Sequence, residues 1–199
     1  SFVVGISIGV VSISGGREQT ARVMAAADAA CYSAKDKGRN RVQVYSPGSD
    51  EVALRKGEME WVNRIHHALA ENRFCLYAQP VVTTRGSDRS PPYTELLIRL
   101  RNDDGELVPP NAFIPAAERY HLMPAIDRWV IGTAFELLAR RRGAGAATDA
   151  VYAINVSGAS IGDEEFLDFV QGQFVRHGIP HAQICFEMTE TTAVASLSK

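Results

Sequence analysis

An α/β fold is predicted for this chain of 199 residues. Three observations carry the expectation. Short apolar runs of strand length recur between segments whose apolar residues repeat at helical spacing. Three of those runs, near Tyr93–Arg101, Val151–Ser157 and Ile184–Thr189, each bear oxygen-containing side chains that share one face. Hydrophobic residues make up 46% of the sequence and charged residues 22%, the proportions of a globular protein with a packed core. Strands alternating with helices imply a parallel sheet. Patterning alone does not choose between an open doubly wound sheet and a closed barrel.

Phe2 to Ile13 alternates, with Val4, Ile6, Ile8 and Val10 on one face of a half-buried strand. Ser12 to Gly16 supplies a turn. From Glu18 to Lys37 the residues Val23, Ala27, Ala30 and Ala34 recur at helical spacing, and Gly38 closes that helix. Arg41 to Ser46 reads as a second strand, and Pro47-Gly48-Ser49-Asp50 marks a boundary. Glu51 to Asn72 then reads as a connecting helix with Leu54, Trp61, Ile65, Ala68 and Leu69 along its apolar stripe. Strands follow at Phe74–Val82 and Tyr93–Arg101. A helix is expected over Ala125–Arg141, carried by Ile126, Val130, Phe135 and Leu138. The last elements are a strand at Val151–Ser157, a helix at Glu164–His177 and a strand at Ile184–Thr189. Arg140-Arg141-Arg142 reads as a solvated helix end, and Asn102 to Gly105 as a turn.

Composition removes several function classes. A formal net charge of −2 gives no general basic surface, so binding to nucleic-acid polymers is not expected. No apolar run approaches the ~20 residues a membrane span needs, and no membrane contact is expected within this segment. Three scattered cysteines at 31, 75 and 185 suit buried, reduced thiols and a cytoplasmic setting. The five histidines have no ligand spacing, which argues against zinc. Ser1 already reads as lying inside a domain, so a membrane anchor or sensor upstream is left open.

Glu95, Leu97 and Arg99 face one way in their strand, as do Val151, Ala153 and Asn155, and Cys185, Glu187 and Thr189. Parallel strands would bring Glu95, Asn155 and Glu187 together. Two carboxylates and an amide oxygen form a donor set for a hard cation, Mg2+ or Mn2+. Arg99 beside them suits a phosphate. The competing interpretations are a satisfied polar network for the three, and a structural salt bridge for Arg99.

These motifs resemble a known family. Glu95-Leu96-Leu97-Ile98-Arg99, Ile154-Asn155-Val156-Ser157 and Glu187-Met188-Thr189-Glu190 are similar to the E-[AVL]-L-x-R, I-N-x-S and E-x-T-E strands of EAL-domain cyclic di-GMP phosphodiesterases. Leu76 to Val81, Pro110 to Glu118 (PNAFIPAAE) and Ile126 to Val130 resemble that family's L-Y-Y-Q-P-I, P-x-x-F-I-P-x-A-E and L-D-x-W-V segments. The resemblance runs from about Phe74 to Lys199. Earlier, Ile6 to Val10, Ala27 to Tyr32 and Ala34 to Val42 resemble the closing part of a GGDEF, or diguanylate cyclase, domain. Gly15-Gly16-Arg17-Glu18 lacks the acidic pair of that domain's signature loop and reads as a turn.

The resemblance implies a partial TIM-type (β/α) barrel preceded by a fragment of the α+β GGDEF domain. The expected limits are 1–46 for that fragment, 47–72 for a linker helix and 73–199 for the first half of the EAL domain. It implies metal ligation by Glu95, Asn155 and Glu187, substrate contacts by Gln79 and Arg99, and a loop-steadying role for Glu190. Lys35 and Arg39 match phosphate-contacting residues of active cyclases, although dipole-complementing solvated charges account for them equally. The expected ligand is cyclic di-GMP, and a homodimer through the EAL domain is considered as a further association. Leu96 replaces the family's alanine, on the strand face opposite Glu95. The chain stops before the family's D-D-F-G-x-G strand and catalytic lysine, so the fragment itself is expected to be inactive. The alternatives are a noncatalytic cyclic di-GMP receptor, or cyclase activity residing upstream.

Overall fold

The computed structural model describes residues 5–13, 20–46, 48–82, 91–145 and 149–188. It divides into two units, Ser1–Trp61 and Val62–Lys199. In the first, β1 (Ile8–Val10) and β2 (Val42–Val44) pair in parallel, with Ile8 opposite Val42, and α1 (Thr20–Asp36) connects them. Both strands are shorter than the alternation suggests. Ile8, Val10, Val42 and Val44 remain 40–60% exposed, and alternation extends a strand only where partners cover it. Helix α1 buries Ala29, Ala30 and Ala34. Strand β1 passes so close to α1 that a Cβ on Gly9 would strike the Ala27 carbonyl and the Cys31 amide nitrogen. Gly38 ends α1 at φ 103°, with its own N–H donating to the Lys35 carbonyl and Arg39 N–H to that of Ala34. That pattern is the Schellman stop expected from Gly38. Helix α2 (Ser49–Ala70) follows.

The second unit contains β3 (Phe74–Val81), β4 (Tyr93–Arg101) and β5 (Leu107–Val108), then a 3-10 turn at Pro110–Ala112. Helices α3 (Ile114–Arg119) and α4 (Met123–Gly143) lead to β6 (Val151–Asn155). A short α5 (Gly158–Ile161), α6 (Glu164–His177) and β7 (Ile184–Glu187) complete it. The sheet runs β3-β4-β6-β7, with β5 paired to β4. The pairs β4–β6 and β6–β7 are parallel, as expected. The pair β3–β4 is antiparallel, which corrects the reading of a uniformly parallel sheet. About eleven residues separate Val81 from Tyr93, just under the dozen or more that a parallel crossover usually takes. The described strands form a mixed α/β sheet and do not close into a barrel.

The helices cover one face of this sheet. Phe74 and Leu100 lie opposite each other in register and are both buried. The Phe74 ring packs at 5.6 Å from Phe113 and 5.4 Å from Trp129. Tyr152 and Ile154 of β6 and Ile126, Val130, Ile131 and Phe135 of α4 are buried as well. Phe135 meets Phe174 of α6 edge-on at 4.8 Å, a favoured aromatic geometry. The opposite face carries Gln79, Glu95, Asn155 and Glu187.

Helix α6 shows how local chemistry fixes an element's limits. Asp163 caps it by accepting from Glu165 N–H at 3.0 Å, and Gly178 ends it in the left-handed region at φ 61°. Glu164 and Glu165 sit in the first turn, Arg176 and His177 in the last, matching the helix dipole. Asp163→Ala is expected to cost about 1 kcal/mol, measured as a fall in the urea midpoint of this unit. Arg128, 3.4 Å from Asp163, would lose its ion pair in the same variant.

The turn at Asn102–Gly105 forms as expected, with Gly105 at φ 81° and Asn102 accepting from the Glu106 N–H at 2.7 Å. Arg140, Arg141 and Arg142 are exposed; Arg140 meets Glu136 at 2.6 Å, and Arg142 donates to the Gly178 carbonyl at 2.7 Å. All three cysteines are free thiols but half-buried rather than buried. Cys31 and Cys75 point at the carbonyls of Ser7 and Arg99, each at 3.7 Å. The Gly15–Glu18 turn lies outside the described residues.

Candidate metal and nucleotide site

Strand register assembles the site. Glu95 on β4 lies opposite Ala153 on β6, and Asn155 on β6 lies opposite Glu187 on β7. Residues facing each other across a ladder share a sheet face, so Glu95, Asn155 and Glu187 stand on one surface. Asn155 Nδ2 donates to Glu95 Oε1 at 2.8 Å. The Tyr93 hydroxyl donates to Glu187 Oε1 at 2.7 Å. Asn155 is exposed and both glutamates are half-buried, so the trio is open to solvent rather than a sealed polar core.

Gln79 and Arg99 join the same face from different directions. Because β3 is antiparallel to β4, Gln79 at the C-terminal end of β3 pairs with Glu95, while Arg99 at the far end of β4 pairs with Cys75. Each lies near the C-terminal end of its own strand, and the antiparallel pairing sends those two ends in opposite directions. Arg99 Nη1 donates to the Ile98 carbonyl at 2.8 Å and its guanidinium lies 5.9 Å from the Tyr77 ring centre. A carboxylate partner for Arg99 is not among the described contacts, and the stacking holds the cation over the ring face.

Glu95 and Glu187 supply carboxylate oxygens and Asn155 an amide oxygen, once its amide rotates from the Glu95 contact. This hard-oxygen chemistry fits Mg2+ or Mn2+, which retain water in the remaining positions. Among the described residues no group of three or more His, Cys, Asp or Glu side chains converges. The fit therefore rests on two carboxylates and one amide. Glu190 lies outside the described residues. Lys35, in the last turn of α1, and Arg39, at φ 55° just beyond it, are exposed within the first unit.

Two residues around the trio escaped the sequence reading. Asp127 on α4 is 3% exposed, and its Oδ2 accepts from Ser157 N–H at 3.0 Å, Ser157 Oγ at 2.6 Å and Ser160 Oγ at 2.7 Å. It ties down the turn that begins directly after Asn155. Burial raises its pKa, while the hydrogen bonds from Ser157 and Ser160 pull in the opposite direction. A carboxylate next to Ile126 and on the same helix as the buried Val130 was the available cue. The second residue is Tyr93, whose phenol is pushed well above its ordinary pKa, first by its hydrogen bond to Cys185 and then by that to Glu187. A cavity of about 410 Å³ lies elsewhere in this unit, lined by Arg64, His67, Glu71, Arg73, Arg101 and Asp103 among others, and includes none of the trio.

Residues 62–199 match the model of the EAL domain. The chain belongs to the EAL-domain family. This chain is 35% identical over 194 residues to the cyclic di-GMP phosphodiesterase PdeB of Shewanella oneidensis, covering 98% of this chain and 22% of that protein. The bifunctional diguanylate cyclase/cyclic di-GMP phosphodiesterase MucR of Pseudomonas aeruginosa is 27% identical over 191 residues, 96% of this chain and 27% of that protein. Among solved structures, the FimX EAL domain from Pseudomonas aeruginosa bound to c-di-GMP is 31% identical with a TM-score of 0.62, over 70% of this chain and 54% of that one. The chain thus spans about a quarter of the length of these two curated relatives. No helix among the described residues is long and apolar enough to cross a membrane.

Proposed function

We propose that the EAL domain hydrolyses cyclic di-GMP to the linear dinucleotide in the full-length protein, with Mg2+ or Mn2+ as cofactor. The observation that carries this reading is the placement of Glu95, Asn155 and Glu187 on one open sheet face, with Asn155 and Glu95 in contact at 2.8 Å. The names of PdeB and MucR, both phosphodiesterases of this nucleotide, support it. Glu95, Asn155 and Glu187 would hold the cation, whose chemistry when bound is to activate water and offset charge on the phosphate. Arg99 orients a phosphate oxygen through its guanidinium fork, and Gln79, across the ladder from Glu95, contributes a neutral polar contact. A water oxygen adds to phosphorus, one P–O ester bond breaks, and the released sugar oxygen takes a proton. Glu190 steadies an adjoining loop.

Residues 1–46 are the tail of a GGDEF domain and 47–72 a linker helix; the alignment of PdeB across 98% of the chain supports an upstream unit shared with that relative. Lys35 and Arg39 are remnants of its phosphate contacts. The sheet of residues 73–199 is part of a TIM-type barrel completed by further strands, the setting in which strand-end residues form sites. The protein acts in the cytoplasm, and a homodimer through the EAL domain is its expected association.

The test is hydrolysis by the full-length protein with Mn2+ or Mg2+, and again with chelator. Release of the linear dinucleotide that chelator abolishes is the expected outcome. Tight nucleotide binding without turnover would replace the phosphodiesterase with a receptor.

A further inference from the structure

Tyr93 begins β4, in register with Val151, whereas Glu187 ends β7, in register with Asn155. Strand β6 lies between them. The β6 side chain standing on that face between the two is Ala153, a single methyl, fully buried. Over it the phenol reaches past Cys185 to Glu187, with a 2.7 Å hydrogen bond to Oε1. Tyr93 lies two residues ahead of the Glu95–Arg99 stretch and outside every motif that carries the family resemblance.

We propose that Tyr93 is a positioning residue for Glu187: its hydroxyl occupies Oε1 and leaves Oε2 for the cation shared with Glu95 and Asn155. The inference rests on the metal reading given above. A glutamate side chain free to rotate must be ordered when the ion binds; one already held by a neighbour loses less freedom. Outer partners of metal ligands act in this way, and their removal weakens metal binding about 10–100-fold.

The experiment is Mn2+ titration of the full-length protein, following free ion by electron paramagnetic resonance, for wild type, Tyr93→Phe and Glu187→Gln. The class of Mn2+ sites removed by Glu187→Gln identifies the site. In that class Tyr93→Phe is expected to bind about tenfold more weakly, with an unchanged thermal midpoint in the absence of metal. Excess Mn2+ should restore its hydrolysis rate, a rescue that a purely structural defect would not show. Wild-type affinity in Tyr93→Phe, alongside loss in Glu187→Gln, overturns the role of Tyr93 and leaves the metal site standing. Unchanged Mn2+ binding in Glu187→Gln overturns the metal reading and this inference with it.

Discussion

Glu95→Ala in the full-length protein is expected to lower cyclic di-GMP hydrolysis by about 10³-fold or more, while leaving the fold intact. A bound metal contributes several kcal/mol of transition-state stabilisation, and each ~1.4 kcal/mol is tenfold in rate. Losing one of the two proposed ligand carboxylates among the described residues removes both a ligand and a unit of negative charge that neutralises the ion. The fold is spared because Glu95 is half-buried on the open face and its described side-chain hydrogen bond is to an exposed amide, Asn155. The backbone ladder of β4 to β3 and β6 does not involve the carboxylate. Initial rates at saturating Mn2+, with circular dichroism and thermal midpoint as controls, decide the matter. Normal turnover in the variant would remove Glu95 from the metal site.

Asp127 gives the complementary result, a large effect on stability. Asp127→Ala strands the Ser157 N–H and two hydroxyls that now converge on one oxygen. Orphaning buried polar groups of this kind costs about 3 kcal/mol, a fall of roughly 10 °C in the thermal transition of a domain this size. Asp127→Asn keeps an acceptor oxygen and should recover most of the loss. Its pH dependence follows from the raised pKa. The unfolded carboxyl ionises near its ordinary value, about 4, and the folded one only at higher pH. Between those two values the folded state binds more protons, so this site's contribution falls as pH rises through the window and is regained on acidification. The stability gap between wild type and Asp127→Asn should therefore shift toward wild type as pH falls through that window. A gap independent of pH would contradict the burial argument.

These two sites differ in how legible they were. Glu95, Asn155 and Glu187 were readable because strand periodicity alone assigns each to a face, and each lies inside a recognisable strand motif. Asp127 sits in a recognised segment too, but its task depends on Ser157 and Ser160, roughly thirty residues away in sequence. Periodicity placed Asp127 on a helix and could not say what that helix faces. Tyr93 was harder still, because its partner Glu187 is 94 residues distant and reached across an intervening strand.

The limits of α6 and the stop of α1 were set by residues within one turn of the boundary: Asp163 and Gly178 for one, Gly38 for the other. Caps are local hydrogen bonds and local dihedral choices, so sequence by itself determined them. It likewise determined the α/β character, the face on which each strand carries its polar residues, and the family. Strand direction and register were decided only by the tertiary structure. The antiparallel turn of β3 brings Gln79 to Glu95 and carries Arg99 to the opposite end of the pair. Which strands become neighbours depends on how the helices pack on the other face of the sheet, an energy spread over many long-range contacts that no short window of sequence contains.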